Sequence, residues 1–277
     1  VQSYRVAVCQ MTIDRDKEKN IARAREMIAR AAEKGARLVV LPEMFNCPYV
    51  ARLFPQYAES YPEGPSLQML SRAAREEGVY LVGGSLPERD GDRVYNTSFI
   101  FAPDGRLLGK HRKVHLFDVE LASGLSVKES STLGAGNRVT VIPSELGGLG
   151  VAICYDIRFP ELMRLMVLKG ARVVVIPAAF NMTTGPAHWE LIFRMRAVDN
   201  QAYFIGASPA RDPGAAYVAY GHSLVVDPWG KVVSMAGEGE EIIYAEIDPG
   251  LIDKVRSELP LLRHRRTDVY ALELLVP

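Results

Sequence analysis

The chain has 277 residues, 48% of them hydrophobic, with 33 basic and 33 acidic side chains. That length and apolar content supply one large core or two small ones, and a balanced charge gives no drive toward nucleic acid or an anionic membrane. Its three cysteines, Cys9, Cys47 and Cys154, are odd in number and far apart, which argues against a disulfide framework or a Cys-x-x-Cys metal site and suits a reducing, cytoplasmic setting.

In chain order, "RVAVCQ" reads as a buried strand rather than a signal peptide. Over residues 17–34, Ile21, Ala24, Ile28 and Ala31 share one helical face, and Gly35 is a stop signal. "LVVLPE" (38–43) is a second strand, a helix over about 65–77 ends at Gly78, and "YLVGGS" follows. "VYNTSFIFAPDGRLLGKHRKVHL" reads as a hairpin turning at Pro-Asp-Gly, and residues 117–138 read as a long irregular loop. His111 and His115 in this region are a lone i, i+4 pair without the His-Glu-x-x-His pattern of a zinc site. "VTVIPS" and "LGVAICYD" then flank a Gly-Gly turn, and a helix starting near Pro160 ends at Gly170. "ARVVVIPAAF" is a strand too short to span a bilayer, and the next helix carries Trp189, Ile192, Phe193, Arg196 and Ala197 at helical spacing. "AYFIGAS", "GHSLVVDPWGKVV" and "EEIIYAEID" complete the set as strands, the last two elements antiparallel. No Gly-, Ser- or Pro-rich linker divides the chain, so the rhythm predicts one mixed α/β domain over 1–277.

Cys154 lies where the carboxyl end of a strand meets a helix, the edge at which α/β sheets bind ligands. A lone cysteine in an apolar run is ordinarily a small buried hydrophobe, but a helix N-terminus nearby would favour a thiolate. Glu43 directly follows "LVVLP", and a carboxylate there is costly unless it is solvated, paired or used. Lys113 on a hairpin strand would ordinarily be a solvated edge residue. Together the three supply a base, a cation and a nucleophile.

"VVLPEMF", "GKHRKVHLFD" and "GVAICYDIRFPEL" resemble, in order, the three catalytic motifs of the nitrilase superfamily of carbon–nitrogen hydrolases. The resemblance runs over nearly the whole chain. It implies a four-layer αββα sandwich with a Glu-Lys-Cys triad, here Glu43, Lys113 and Cys154, working through a cysteine thioester without metal or organic cofactor. A second site glutamate is also implied; Glu129 is the match, with Glu120 nearer Lys113 in sequence. "IPAAFNMTTGPAHWELIFRMRAVDNQAYFIGASPARD" and "AYGHSLVVDPWGKV" resemble the omega-amidase branch more than the sister branch acting on deaminated glutathione. That branch implies 2-oxoglutaramate or 2-oxosuccinamate as substrate, with the deaminated-glutathione amidases and other amidases or carbamoyl hydrolases of the superfamily as alternatives. The backbone N–H of Tyr155 would help hold the oxyanion and Arg158 would anchor the substrate carboxylate, unless it pairs with Asp156 or Glu161. Phe45 and Tyr49 would wall the pocket, with Thr184 on its rim. Two rivals compete with this reading: a Cys–His hydrolase using His115, His188 or His222, and a non-catalytic scaffold of the same fold. Superfamily members commonly form homodimers, and the apolar tail over about 260–277 predicts a subunit contact.

Overall fold

Strand alternation sorts the side chains into layers. In β1 (Tyr4–Gln10), Val6 and Val8 face a cluster that also holds Val173 and Val175, while Ala7 and Cys9 face a separate cluster containing Ala24, Ile28 and Leu70. The same switch occurs in a distant strand, where Val174 and Ile176 turn away from the first cluster toward Met166 and Phe193. The structure, a computed structural model, describes residues 2–275 except 121, 123 and 125.

The first half runs β1, α1 (Lys17–Glu33), β2 (Ala36–Val40), a one-turn α2 (Phe54–Tyr57), α3 (Pro65–Glu77), β3 (Tyr80–Val82), β4 (Leu86–Asp90), β5 (Arg93–Phe101) and β6 (Leu107–Arg112). A small hairpin, β7 (Asp118–Glu120) and β8 (Ser126–Lys128), follows. The second half runs β9 (Thr140–Ile142), β10 (Gly148–Val151), α4 (Pro160–Leu168), β11 (Ala171–Pro177), α5 (Gly185–Asn200), β12 (Tyr203–Ala207), β13 (Leu224–Val226), β14 (Val232–Met235), β15 (Glu241–Ile247) and α6 (Pro249–Glu258).

Each half contains a β-α-β-α-β unit. β1, β2 and β3 are parallel, as are β10, β11 and β12, and antiparallel strands extend both sheets. The sheets share the core of Val6, Val8, Leu38, Val40, Val151, Val173, Val175 and Ile205, with α1 and α3 covering one outer face and α4 and α5 the other. This is the four-layer αββα sandwich. Each fully buried valine or isoleucine in it contributes about 1.5–3 kcal/mol. Local signals act as expected at the helix ends: Asp16 accepts from the Glu18 N–H at the start of α1, and Gly78 ends α3 at φ +64°.

The structure departs from the sequence reading in several places. It contains α2, β4 and α6, which the sequence reading lacks. The 117–138 segment is not wholly irregular, because it contains the β7–β8 hairpin and a 3₁₀ turn at Glu129–Ser131. β15 leaves the β13–β14 pair and crosses to the other sheet, pairing with β1 from Tyr4↔Ile247 to Gln10↔Glu241. Alternation specifies which face of a strand is buried and leaves open which sheet it joins.

Candidate active site

Glu43 lies three residues beyond β2, where the chain leaves the sheet. Leu41 still bonds the Val82 carbonyl, and Met44 turns the backbone at φ +51°, its N–H held by Ser85 Oγ at 3.0 Å. Gly84 packs on the Pro42 carbonyl, where any Cβ would collide. The Glu43 carboxylate is buried and fully engaged: Oε1 accepts from Asn96 Nδ2 at 2.9 Å and Lys113 Nζ at 3.1 Å, and Oε2 accepts from the Ala179 N–H at 2.8 Å. Burial pushes its carboxyl above the usual range, and the Lys113 ammonium pulls the other way.

Lys113, which would be a solvated edge residue in an ordinary hairpin, is completely buried just beyond β6. Burial opposes its charge, but Glu129, at 2.9 Å, and Glu43 outweigh that and hold the ammonium well above its ordinary value. It is therefore a fixed cation and not a base. Gly136 bonds the Lys113 carbonyl through its N–H at 2.7 Å and lies too close to the Arg112 carbonyl to carry a Cβ. Of the two candidate glutamates, Glu129 lies beside Lys113: it accepts from Lys113, from Tyr49 Oη at 2.7 Å and from the Phe117 N–H at 2.7 Å, whereas Glu120 is exposed on β7.

Cys154 opens a 3₁₀ turn (Cys154–Arg158) between β10 and α4, at φ +47°. A non-glycine residue there stores roughly 1–3 kcal/mol of strain, which its surroundings must hold. Asp156 does much of that holding. Its buried carboxylate accepts from the Ile153 N–H at 3.1 Å on the cysteine side, and from the His115 N–H at 2.9 Å on the Lys113 side. His111 Nε2 and His115 Nδ1 lie 3.0 and 2.8 Å from it. These bonds overcome burial and keep the Asp156 carboxyl well below the usual carboxylate range. Cys154 is set against Glu43, whose charge acts directly on its thiol. The expectation of a resting thiolate is corrected: burial first, and the Glu43 charge second, raise the thiol well above its ordinary value despite Lys113. The nearby turn cannot offset desolvation.

A cavity of about 10 Å³ adjoins Cys154, lined by Tyr155, Arg158, Phe180, Thr184 and Tyr217 among others. Arg158 thus reaches the site. It forms neither suggested structural pair; its guanidinium stacks on Phe180 at 4.7 Å and lies 3.2 Å from His188 Nδ1. Phe45 is a correction. It is buried in the cluster under α1 and α3 and walls no part of this cavity, because the turn at Met44 sends its side chain to the helix layer. Tyr49 lines a larger neighbouring cavity and serves Glu129. The histidines of the rival mechanism are placed elsewhere: His115 stacks on Phe159 at 3.6 Å beside Asp156, His188 lies on Arg158, and His222 Nδ1 faces the Tyr220 carbonyl at 3.0 Å.

The family model described as carbon-nitrogen hydrolase matches residues 5–257. The chain belongs to the carbon–nitrogen hydrolases. This hydrolase is 48% identical over 275 residues to omega-amidase NIT2 of Homo sapiens, covering 99% of both chains. It is 49% identical over 272 residues to omega-amidase NIT2 of Danio rerio, covering 98% of both. Among solved structures it resembles Saccharomyces cerevisiae Nit3, a member of branch 10 of the nitrilase superfamily, with a TM-score of 0.89 and 48% identity over 96% of this chain and 97% of that one. Sequence reasoning about this hydrolase missed Asn96, Asp156 as a clamp, the Ala179 N–H and Tyr217. Only Asn96, a polar residue inside an otherwise strand-like run, carried a signal that could have marked it.

Proposed function

We propose that this protein is an omega-amidase that hydrolyses 2-oxoglutaramate or 2-oxosuccinamate to the 2-oxo dicarboxylic acid and ammonia. The observation that carries the amide chemistry is the buried Cys154 thiol set against Glu43, whose carboxylate lies 3.1 Å from the buried Lys113 ammonium. Burial and the Glu43 charge keep the resting thiol protonated, while Glu43 faces it as the carboxylate paired with the Lys113 ammonium, so the proton passes to Glu43 as sulfur attacks. The C=O π pair moves to oxygen, where Lys113 and the Tyr155 N–H hold the oxyanion. As the carbonyl re-forms, the C–N bond breaks, Glu43 gives its proton to the departing nitrogen, and a thioester on Cys154 remains with free ammonia. Glu43 then takes a proton from water as that oxygen attacks the thioester carbon. The C–S bond breaks, Cys154 recovers the proton, and the acid leaves.

Arg158 in the same cavity supports a substrate with a free carboxylate, which a guanidinium grips with two bonds. The tight enclosure by Phe180, Thr184 and Tyr217 favours a compact dicarboxylate monoamide over deaminated glutathione. The names of the full-length relatives agree with this reading. The test is ammonia release from a panel of 2-oxoglutaramate, 2-oxosuccinamate, deaminated glutathione and plain aliphatic amides, by the unaltered protein and by Arg158→Lys. The 2-oxo amides should show the highest kcat/KM, and Arg158→Lys should narrow their advantage over uncharged amides. A preference for deaminated glutathione or an aliphatic amide overturns the omega-amidase reading.

The same reading includes a homodimer and a cytoplasmic setting. α5 buries Trp189, Phe193 and Ala197 yet also exposes Leu191 and Met195 on its outer side. A helix apolar on both faces calls for a second partner, and exposed Val269, Tyr270 and Leu275 extend the apolar surface into the tail. The cysteines are free thiols, which suits a reducing compartment.

A further inference from the structure

Helix α5 grips Arg158 at both ends. At the backbone end, the buried Arg196 side chain donates to the Ile157 carbonyl at 2.8 Å and to the Arg158 carbonyl at 3.0 Å. At the other end, the Arg158 guanidinium lies over the Phe180 ring at 4.7 Å, and its Nη1 lies 3.2 Å from His188 Nδ1. A guanidinium can only donate, so Nδ1 is the acceptor and the imidazole proton sits on Nε2. The nearby Asp156 carboxylate is taken up by His111 and His115 and leaves the Arg158 charge to others. The two holders are themselves fixed. His188 belongs to the first turn of α5, where its N–H donates to the Thr184 carbonyl at 2.9 Å. The next residue, Trp189, is buried, packs edge-on against Phe180 at 5.1 Å and donates through Nε1 to the His222 carbonyl at 2.7 Å.

We propose that His188 is a positioning residue that sets the preference for a carboxylate-bearing amide by fixing the Arg158 guanidinium before substrate arrives. The Phe180 ring fixes the tilt of the guanidinium plane, and His188 Nδ1 fixes its rotation within that plane by engaging Nη1. The edge formed by Nε and Nη2 then stays free, with two parallel N–H groups for a carboxylate. An unheld arginine side chain loses rotamer freedom when it binds; one already held loses less, which strengthens binding without any new contact to substrate. Thr184 and Arg158 both line the wall beside Cys154, and His188 holds the first through its backbone and the second through its ring. His188 does not line that wall itself, so its effect falls on binding and not on thioester chemistry. This inference rests on the reading of Arg158 as the carboxylate anchor.

The test compares His188→Ala, His188→Asn and Arg158→Lys with the unaltered protein. Ammonia release is measured from 2-oxoglutaramate and from its methyl ester, in which an uncharged group replaces the carboxylate. His188→Ala should raise KM for 2-oxoglutaramate about tenfold with kcat within about twofold, the pattern of lost uniform binding, and should leave kcat/KM for the ester within about twofold. His188→Asn places a side-chain oxygen near the position of Nδ1 and should recover most of that loss. The exposed position in the first turn of α5 accommodates both substitutions. An unchanged KM in His188→Ala overturns the proposal. So does an equal loss on the ester, which would mean a general loosening of the site, or a failure of His188→Asn to recover what His188→Ala loses. If Arg158→Lys leaves the preference for the charged amide intact, the anchor reading fails and this inference falls with it. A preference that drops in Arg158→Lys but holds in His188→Ala overturns the role of His188 alone.

Discussion

Glu129→Gln changes one charge at nearly constant volume and tests the electrostatics of the site directly. Glu129 accepts three buried hydrogen bonds, from Lys113, Tyr49 and the Phe117 N–H. A glutamine amide must turn its NH₂ toward at least one of these donors, leaving a buried N–H or O–H unsatisfied at about 1–3 kcal/mol. It also removes one of the two carboxylates that compensate the buried Lys113 ammonium. Breaking a buried pair costs about 3–5 kcal/mol, a figure that already includes part of the unsatisfied-donor cost. At about 2–4 °C per kcal/mol, the expected fall in Tm is roughly 6–20 °C. The catalytic effect has a sign that a purely structural defect would not produce. The negative charge of Glu129 disfavours ionised Glu43, so its removal lowers the Glu43 pKa. Activity is lost on the acid side as Glu43 takes a proton, so the acid limb of kcat/KM against pH moves to lower pH. With Lys113 now facing Glu43 alone, the base is weaker and kcat falls on the order of 10²-fold. The limb reports the coupled Glu43–Lys113–Glu129 cluster and not one residue. Differential scanning calorimetry and a pH–rate profile measure both quantities. An acid limb that moves upward, or a Tm within a degree of the unaltered protein, would refute this account.

Cys154→Ala should fold with an unchanged circular dichroism spectrum and release no ammonia. Because the resting thiol is protonated, iodoacetamide labelling of Cys154 in the unaltered protein should speed up steadily as pH rises past 9, with no plateau near neutrality. Cys9, fully buried and pushed up to about 12, should label only on unfolding. Asp156→Asn places an amide among N–H donors from both catalytic segments and should cut kcat about 10- to 100-fold with a smaller change in KM; equal loss in both would mean Asp156 does not position Lys113 and Cys154. Met195→Glu together with Leu191→Glu should shift light scattering from dimer toward monomer while leaving the melting curve cooperative, and an unchanged molar mass would place the interface elsewhere.

Much of this protein could be read along the chain. Period-2 and period-3.6 patterns locate α1, α3, α4, α5 and most strands, because burial of one face is a local property of the sequence. Strand ends followed by polar residues mark Glu43 and Cys154, the quoted motifs mark Lys113, and the family resemblance implies Glu129 with Glu120 as its competitor. What the chain alone left undecided depends on neighbours tens to hundreds of residues away in sequence. The Phe45 side chain goes to the helix layer because Met44 takes a left-handed conformation supported by Ser85. Cys154 remains a thiol because the sandwich closes over it and sets Glu43 against it, outweighing the attraction of Lys113. β15 joins β1 through a pairing between residues 4–10 and 241–247, which no local pattern in either segment encodes. Residue type and spacing determine which groups are present and which faces are buried; desolvation, charge pairing and the aim of each side chain are sums over three-dimensional neighbours, and only the folded chain supplies them.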